Sequence, residues 1–464
     1  MNYAWILVVI VIVASACIPA ISAIDPVSIS KSDKLEGPGN YWGNAIIPAQ
    51  DDGYIVVGGS AAPGATLGDA LAWKPGEWYM MYGWAQGFEV AGDVLPANDG
   101  YVIAGYTNST GAGEYDAWIV KIDRMGVMQW NKTFGGEEDE SAKSIVGTPE
   151  GGYVLAGGTD SFNEGVTTRI AYNLSNQSVA SQNVSQTSAW VVKLDSNGTE
   201  IWNRTYREAE ETAANDIIQT SDGYVVAGVT EDTSTSGVRD AWVAKLDANG
   251  TELWSKTYGY SEKFEDIWSI AQTPDGYVLA GYSIEPSGNA TEDAYVVKLD
   301  SNGTEIWNRT YHGAEDTVGT DVARDIVQVQ DGYVFAGYTN STGAGGYDAW
   351  VVHLAPNGSV VWSQTFGGSY SDGARGIIQT ADGLAFTGNL RVVSPVNNQK
   401  SNAAWLVVLD GESSQKLLRP PQYSLAGGGD PLPHSPPTRY PVEYPCLQIL
   451  SLMHFFFANL NRNE

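Results

Sequence analysis

Thiols are nearly absent from this sequence: its two cysteines are Cys17 and Cys446. Between Ile24 and Asp410, therefore, no disulfide staples the chain and no thiolate holds a metal. Histidine is almost as scarce, with His312 and His353 in the body and His434 and His454 beyond it. Positive charge is also short: 25 basic residues face 54 acidic ones, a formal net charge of -29, which repels a nucleic-acid backbone and excludes it as a partner. Helix-period apolar patterning, a nucleophile elbow, a phosphate-cradling glycine loop and clustered metal ligands are all missing, so no catalytic or cofactor-binding residue is expected and the chain reads as a non-enzyme.

The one long apolar run opens the chain, from Ala4 to Ala16, and is followed by small residues at Ala20, Ser22 and Ala23. Residues 1–23 thus read as a secretory signal. No Lys or Arg precedes the run, and its length leaves a retained membrane anchor open as the alternative. Either way the protein is expected outside the cell, at the surface or in the envelope, with membrane attachment through this segment alone.

What is present in abundance is repetition. The stretch VVKLDSNGTEIWNRTY occurs at Val191–Tyr206 and again, identically, at Val296–Tyr311. A longer unit containing it recurs down the body, anchored by a Gly followed by Tyr54, Tyr101, Tyr153, Tyr224, Tyr277, Tyr333 and finally Leu384. The anchors are spaced by 47, 52, 71, 53, 56 and 51 residues, a period that belongs to propeller blades or solenoid coils. The fullest units hold four short runs rich in Val, Ile, Thr, Tyr and Trp, with Asx-Gly turns such as Asp222-Gly223 and Asn249-Gly250 joining the first run to the second and the third to the fourth; the first unit carries Pro75-Gly76 in the later turn. Four-strand meanders that must cover each other's faces predict an all-β, seven-bladed β-propeller of antiparallel blades over residues 41–410.

The last blade is incomplete, because after Asp410 no turn and outer strand follow. Residues 411–464 abandon the repeat and read as an irregular or disordered tail, or as an out-of-frame end. Residues 24–40, where Val27 and Ile29 alternate with polar residues, are a candidate strand to close the ring.

Two sets of residues are candidate binding groups. At the start of the innermost strands, Asn44, Asp93, Ser144, Asp216, Ser269, Asp325 and Gly376 align around the channel; Asp93, Asp216 and Asp325 form a candidate metal set for a hard cation such as Ca²⁺. On the face carrying the blade-to-blade loops, Glu137, Glu138, Asp139 and Glu140, then Glu208, Glu210 and Glu211, then Glu315 and Asp316 are candidate ligand-face residues, because variable loops on a rigid scaffold are where binding evolves. Loop sequons at Asn108, Asn173, Asn289 and Asn340 are candidate glycosylation sites. The recurring outer-strand Trp (Trp130, Trp202, Trp254, Trp307, Trp362) reads as packing between blades.

The unit DGYVVAG, DAWVVKLDSNG, TEIWNRTY resembles the propeller repeats of prokaryotic cell-surface proteins, especially those of methanogenic archaea, over roughly Tyr41 to Asp410. That resemblance implies a surface protein whose partner is a cell-envelope protein or a glycan. The Asp-x-x-Gly-x-x-x-Trp within the unit also looks like the motif of quinoprotein dehydrogenase propellers, which implies an exported quinoprotein-like or carbohydrate-active enzyme as the alternative. Those enzymes often carry a cysteine pair that this body lacks.

Overall fold

Each repeat folds into four antiparallel strands in chain order. In the computed structural model, which describes residues 27–410 apart from 63–67, 85–86, 163–166, 174–177, 185–186, 233–237, 260–262, 286–290, 315–318, 382 and 395–397, six such sheets span 40–82 (blade 1), 89–134, 140–206, 211–258, 264–311 and 321–366 (blade 6). Blade 4 shows the pattern: Glu211–Thr220, Gly223–Asp232, Val238–Asp247 and Glu252–Tyr258, with Tyr224 opposite Leu246. The long blade-3 loop between the second and third strands contains an antiparallel hairpin, Thr167–Asn173 with Ser178–Val184. The expectations for the leader and for the tail beyond Asp410 lie outside the described residues.

Among the described residues, seven apolar clusters hold the ring together, and each one is shared by two neighbouring blades. One joins Ile103 and Trp118 of blade 2 to Ile55 and Val57 of blade 1; another joins Leu406 and Ala404 of blade 7 to Val56 and Leu71 of blade 1, closing the circle. The chain therefore folds as a seven-bladed β-propeller, with its core between blades rather than within them.

Blade 7 consists of Gly373–Gln379, Gly383–Val393, Lys400–Asp410 and, as its outer strand, Ile29–Leu35, antiparallel to Lys400–Asp410. The N-terminal strand reproduces the chemistry of the strand it replaces. Trp242 and Trp350 donate their indole N–H to Ser255 and Ser363 on their own outer strands at 2.8 and 2.7 Å. Trp405 donates at 3.0 Å to Ser32, which sits opposite Val407 as Ser255 sits opposite Ala244.

The stretch written twice is a latch. Asp195 Oδ1 accepts backbone N–H bonds from Asn197 and Thr199, both 2.8 Å, closing a hairpin turn rather than a calcium loop. The turn ends on a left-handed Gly, and the outer-strand Trp of the preceding blade lies against it: Trp202 on Gly250, Trp254 on Gly303. Tyr206, Tyr258 and Tyr311, at the ends of the outer strands, donate to the carbonyls of Gly250, Gly303 and Gly358 at 2.6, 2.6 and 2.7 Å. The Lys of the KLD run pairs instead within its own blade, as Lys298 with Asp275 at 2.8 Å, and His353 takes the corresponding place beside Asp331 at 3.3 Å.

Candidate functional site

Every innermost strand carries a β-bulge at the same point, between Gly43 and Ala45, Ala91 and Asp93, Ala142 and Ser144, and so on to Ala374 and Gly376. A bulge inserts one residue and turns two consecutive side chains to one side. The channel is therefore lined by two rings. One holds Ala45, Asp93, Ser144, Asp216, Ser269, Asp325 and Gly376, which corrects the sequence alignment by one position in blade 1. The bulge residues form the other: Asn44, Gly92, Lys143, Asn215, Trp268, Arg324 and Arg375.

The structure brings Asp93, Asp216 and Asp325 to the channel, on alternate blades, and shows what their oxygens do. Asp93 accepts from Val94 N–H at 2.7 Å and, across the blade junction, from Ile145 N–H at 2.9 Å. Asp216 repeats this with Ile217 and Ile270, and Asp325 with Ile326 and Ile377, at 2.7 to 2.9 Å. Ser144 Oγ lies within hydrogen-bond reach of both Asp216, at 2.8 Å, and Asp93, at 3.1 Å, and Ser269 donates to Asp325. Each carboxylate thus ties its blade to the next, and a cation here competes with those donors. Burial, opposed by these hydrogen bonds, pushes Asp216 up to about 7 and Asp325 to about 6, with Asp93 raised as well.

Above that ring, on the side of the blade-to-blade loops, three cations converge in a cavity of about 620 Å³ lined also by Trp42, Phe88, Tyr106 and Trp268. Lys143 Nζ donates to Asn215 Oδ1 at 2.7 Å, and Arg375 donates to Asn44 Oδ1 at 2.8 Å. Arg324 stacks on Trp268, its guanidinium carbon 3.8 Å from the ring centre, and makes no hydrogen bond or ion pair to any described residue. Enclosure by the ring and then repulsion from Arg324 draw Arg375 down to about 10, and enclosure lowers Lys143 and Arg324 too. In a chain of net charge -29 this is a cationic well inside an acidic shell. Beside it, Tyr115 packs edge to face against Phe88 and Tyr106, which are tilted against each other, and the three line a second cavity of about 420 Å³ as an aromatic shelf.

Sequence reasoning missed Lys143, Trp268, Arg324 and Arg375. Their signal was a position that varies widely between blades, as Asn44, Gly92, Lys143, Asn215, Trp268, Arg324 and Arg375, where the flanking strand residues repeat.

The loop acids divide. Glu137, Glu138 and Asp139 are exposed, with Asp139 accepting from Tyr115 N–H at 3.0 Å. Glu140 is not a loop residue: it begins Glu140–Gly147, is 2% exposed, and accepts from Thr159, Ser161 and Gly136. Glu208 is exposed and accepts from Ser255; Glu210 and Glu211 are half-buried. Glu315, Asp316 and Asn289 lie outside the described residues, and Asn173 ends a hairpin strand. Asn108 and Asn340 are exposed, and each accepts a backbone N–H across a loop, from Phe88 and Thr320, at 2.6 Å.

No family model and no curated protein matches the chain by sequence. Solved structures that resemble it include the parainfluenza virus 5 hemagglutinin-neuraminidase ectodomain, at 8% identity and TM-score 0.41 over 83% of each chain. An apocarotenoid oxygenase mutant from Synechocystis matches at 10% identity and TM-score 0.37, over 75% of this chain and 95% of its own. A lignostilbene dioxygenase from Pseudomonas brassicacearum matches at 10% identity and TM-score 0.38, over 78% and 86%. Likenesses at this level carry no argument about reaction or ligand.

Proposed function

We propose that this is an exported, non-catalytic surface propeller that binds an acidic sugar at its channel. The observation that carries the reading is Arg324, held over the ring of Trp268 with its N–H donors unclaimed by any described residue, in the cavity that Lys143 and Arg375 also line. A planar guanidinium with free donors suits a carboxylate, which it meets with two parallel hydrogen bonds. The shelf of Phe88, Tyr106 and Tyr115 supplies apolar faces of the kind a sugar ring lies against. The acidic rim, with Glu137, Glu138 and Glu208 exposed, disfavours a polyanion, so the ligand is a chain end or a single acidic unit. The signal-like leader and the likeness to archaeal surface repeats support the envelope setting.

The test is a titration of the full chain with oligogalacturonate and with the neutral galactose oligomer, followed by tryptophan fluorescence. Losing a charge-assisted hydrogen bond costs about 1.5–3 kcal/mol, so Arg324→Gln is expected to weaken oligogalacturonate binding about ten- to a hundredfold. Equal binding of the two oligomers, or an unchanged affinity in R324Q, contradicts the proposal.

A further inference from the structure

The hairpin turns between third and fourth strands carry a motif that the channel does not use. In blades 3, 4 and 5 the turn reads Asn-Gly-Thr, at Asn197, Asn249 and Asn302, the acceptor pattern for an N-linked glycan in an exported chain. Both tight turns of a blade lie at one face, opposite the blade-to-blade loops, so these asparagines stand on the face away from the cationic well.

The structure sorts the sequons by what each side chain already does. The nucleophile in glycan transfer is the amide nitrogen, Nδ2. On the outer strands it is spent: Asn203 donates to Glu200, Asn308 to Glu305, and Asn131 to the sulfur of Met128 at 3.3 Å. In the loops, Asn108 and Asn340 hold Phe88 and Thr320 through Oδ1. Asn357, in the same turn of blade 6, accepts through Oδ1 from both the N–H and the hydroxyl of Ser359. Asn197, Asn249 and Asn302 differ: they are exposed, and their side-chain amides make no hydrogen bond to a described residue. The turn is held without those amides. Asp195, Asp247 and Asp300 accept the backbone N–H of each Asn and Thr at 2.7 to 2.8 Å, and the Gly between them lies against the Trp of the preceding blade. Adding a group to Nδ2 therefore breaks no contact of the fold.

We infer that Asn197, Asn249 and Asn302 are N-glycosylation sites, acceptors for an oligosaccharide carried on a polyisoprenyl phosphate. Nδ2 bonds to the anomeric carbon of the first sugar and the bond from that carbon to the carrier oxygen breaks. The phosphate leaves with the electron pair and takes up the proton that Nδ2 gives up. Blades 1 and 2 place Pro75-Gly76 and Met125-Gly126 in this turn, so the glycans shield one side of the turn face and leave the loop face open. The setting rests on the export read from the leader; acceptance by the folded chain rests on neither export nor sugar binding at the channel.

The experiment incubates folded full chain, made in a host without N-glycosylation, with purified oligosaccharyltransferase and a polyisoprenyl-phosphate-linked oligosaccharide. Glycopeptide mapping by mass spectrometry reads the sites. Glycan is expected on Asn197, Asn249 and Asn302, with Asn203 and Asn308 bare, although a Glu-C digest of the same chain accepts glycan at these too. Thr199→Ala, which keeps the backbone N–H that Asp195 accepts, is expected to lose the Asn197 glycan alone. Three results overturn the inference: no transfer to the turn sites by a transferase that modifies the digest, transfer to Asn203 or Asn308 of the folded chain at the level of Asn249, or unchanged occupancy of Asn197 in T199A.

Discussion

Substituting Gly250 by Ala probes the latch that the repeated sequence encodes. Gly250 has φ +76, where a β-carbon costs about 1–2 kcal/mol. That carbon would also stand 2.8 Å from Cη2 of Trp202, so the ring of the preceding blade has to move, and overpacking of this kind adds about 1–3 kcal/mol. The chain contains its own control. Gly76 occupies the same turn in blade 1 with φ +84, yet nothing lies within 4 Å of its would-be β-carbon, because the outer strand of blade 7 is Ile29–Leu35 and brings no Trp. Gly76→Ala therefore carries the backbone cost alone. Urea unfolding of the full chain, followed by circular dichroism, should place G250A about 1–3 kcal/mol below G76A. In a Trp202→Ala background the excess should vanish. Equal costs for the two glycines, or an excess that survives removal of Trp202, refute the latch.

Two further outcomes follow from the same packing. His353 is buried where other blades place Lys, and burial lowers its pKa from 6.5 despite Asp331 nearby. The unfolded chain takes up a proton that the folded one resists, so stability present above pH 6.5 is lost as pH falls below it. His353→Lys should flatten that slope between pH 7.5 and 5.5 in thermal melts, and an unchanged slope assigns it to other groups. Deleting residues 1–35 bares the edge of Lys400–Asp410 and removes the Ser32 acceptor of Trp405. The truncated chain should melt lower and associate at high concentration by light scattering; a monomer as stable as the full chain contradicts ring closure by this strand.

The fold was legible because its signals repeat. Tyr after an Asp-Gly or Gly-Gly turn, Trp in the outer strand and a Gly, mostly after Asn, between strands three and four recur at similar offsets, so one blade reads the others. Glu140 was misassigned to a loop because EEDE looks continuous on paper. In space its last residue turns inward to meet Thr159, as Glu89 meets Thr107. The bulge residues were hidden for a related reason: a single inserted residue changes which side chains face the axis without changing the strand's composition. Arg324 reads as a solvent-facing strand residue until the bulge turns it into the channel beside Trp268.

A crystal structure of the full chain soaked with digalacturonate bears most directly on the binding role. The expected result is a sugar carboxylate within hydrogen-bond reach of Arg324, bounded by Lys143 and Arg375, with a ring against Phe88, Tyr106 or Tyr115. A ligand bound only at the outer rim, or a channel that stays free of sugar at saturating concentration, contradicts it.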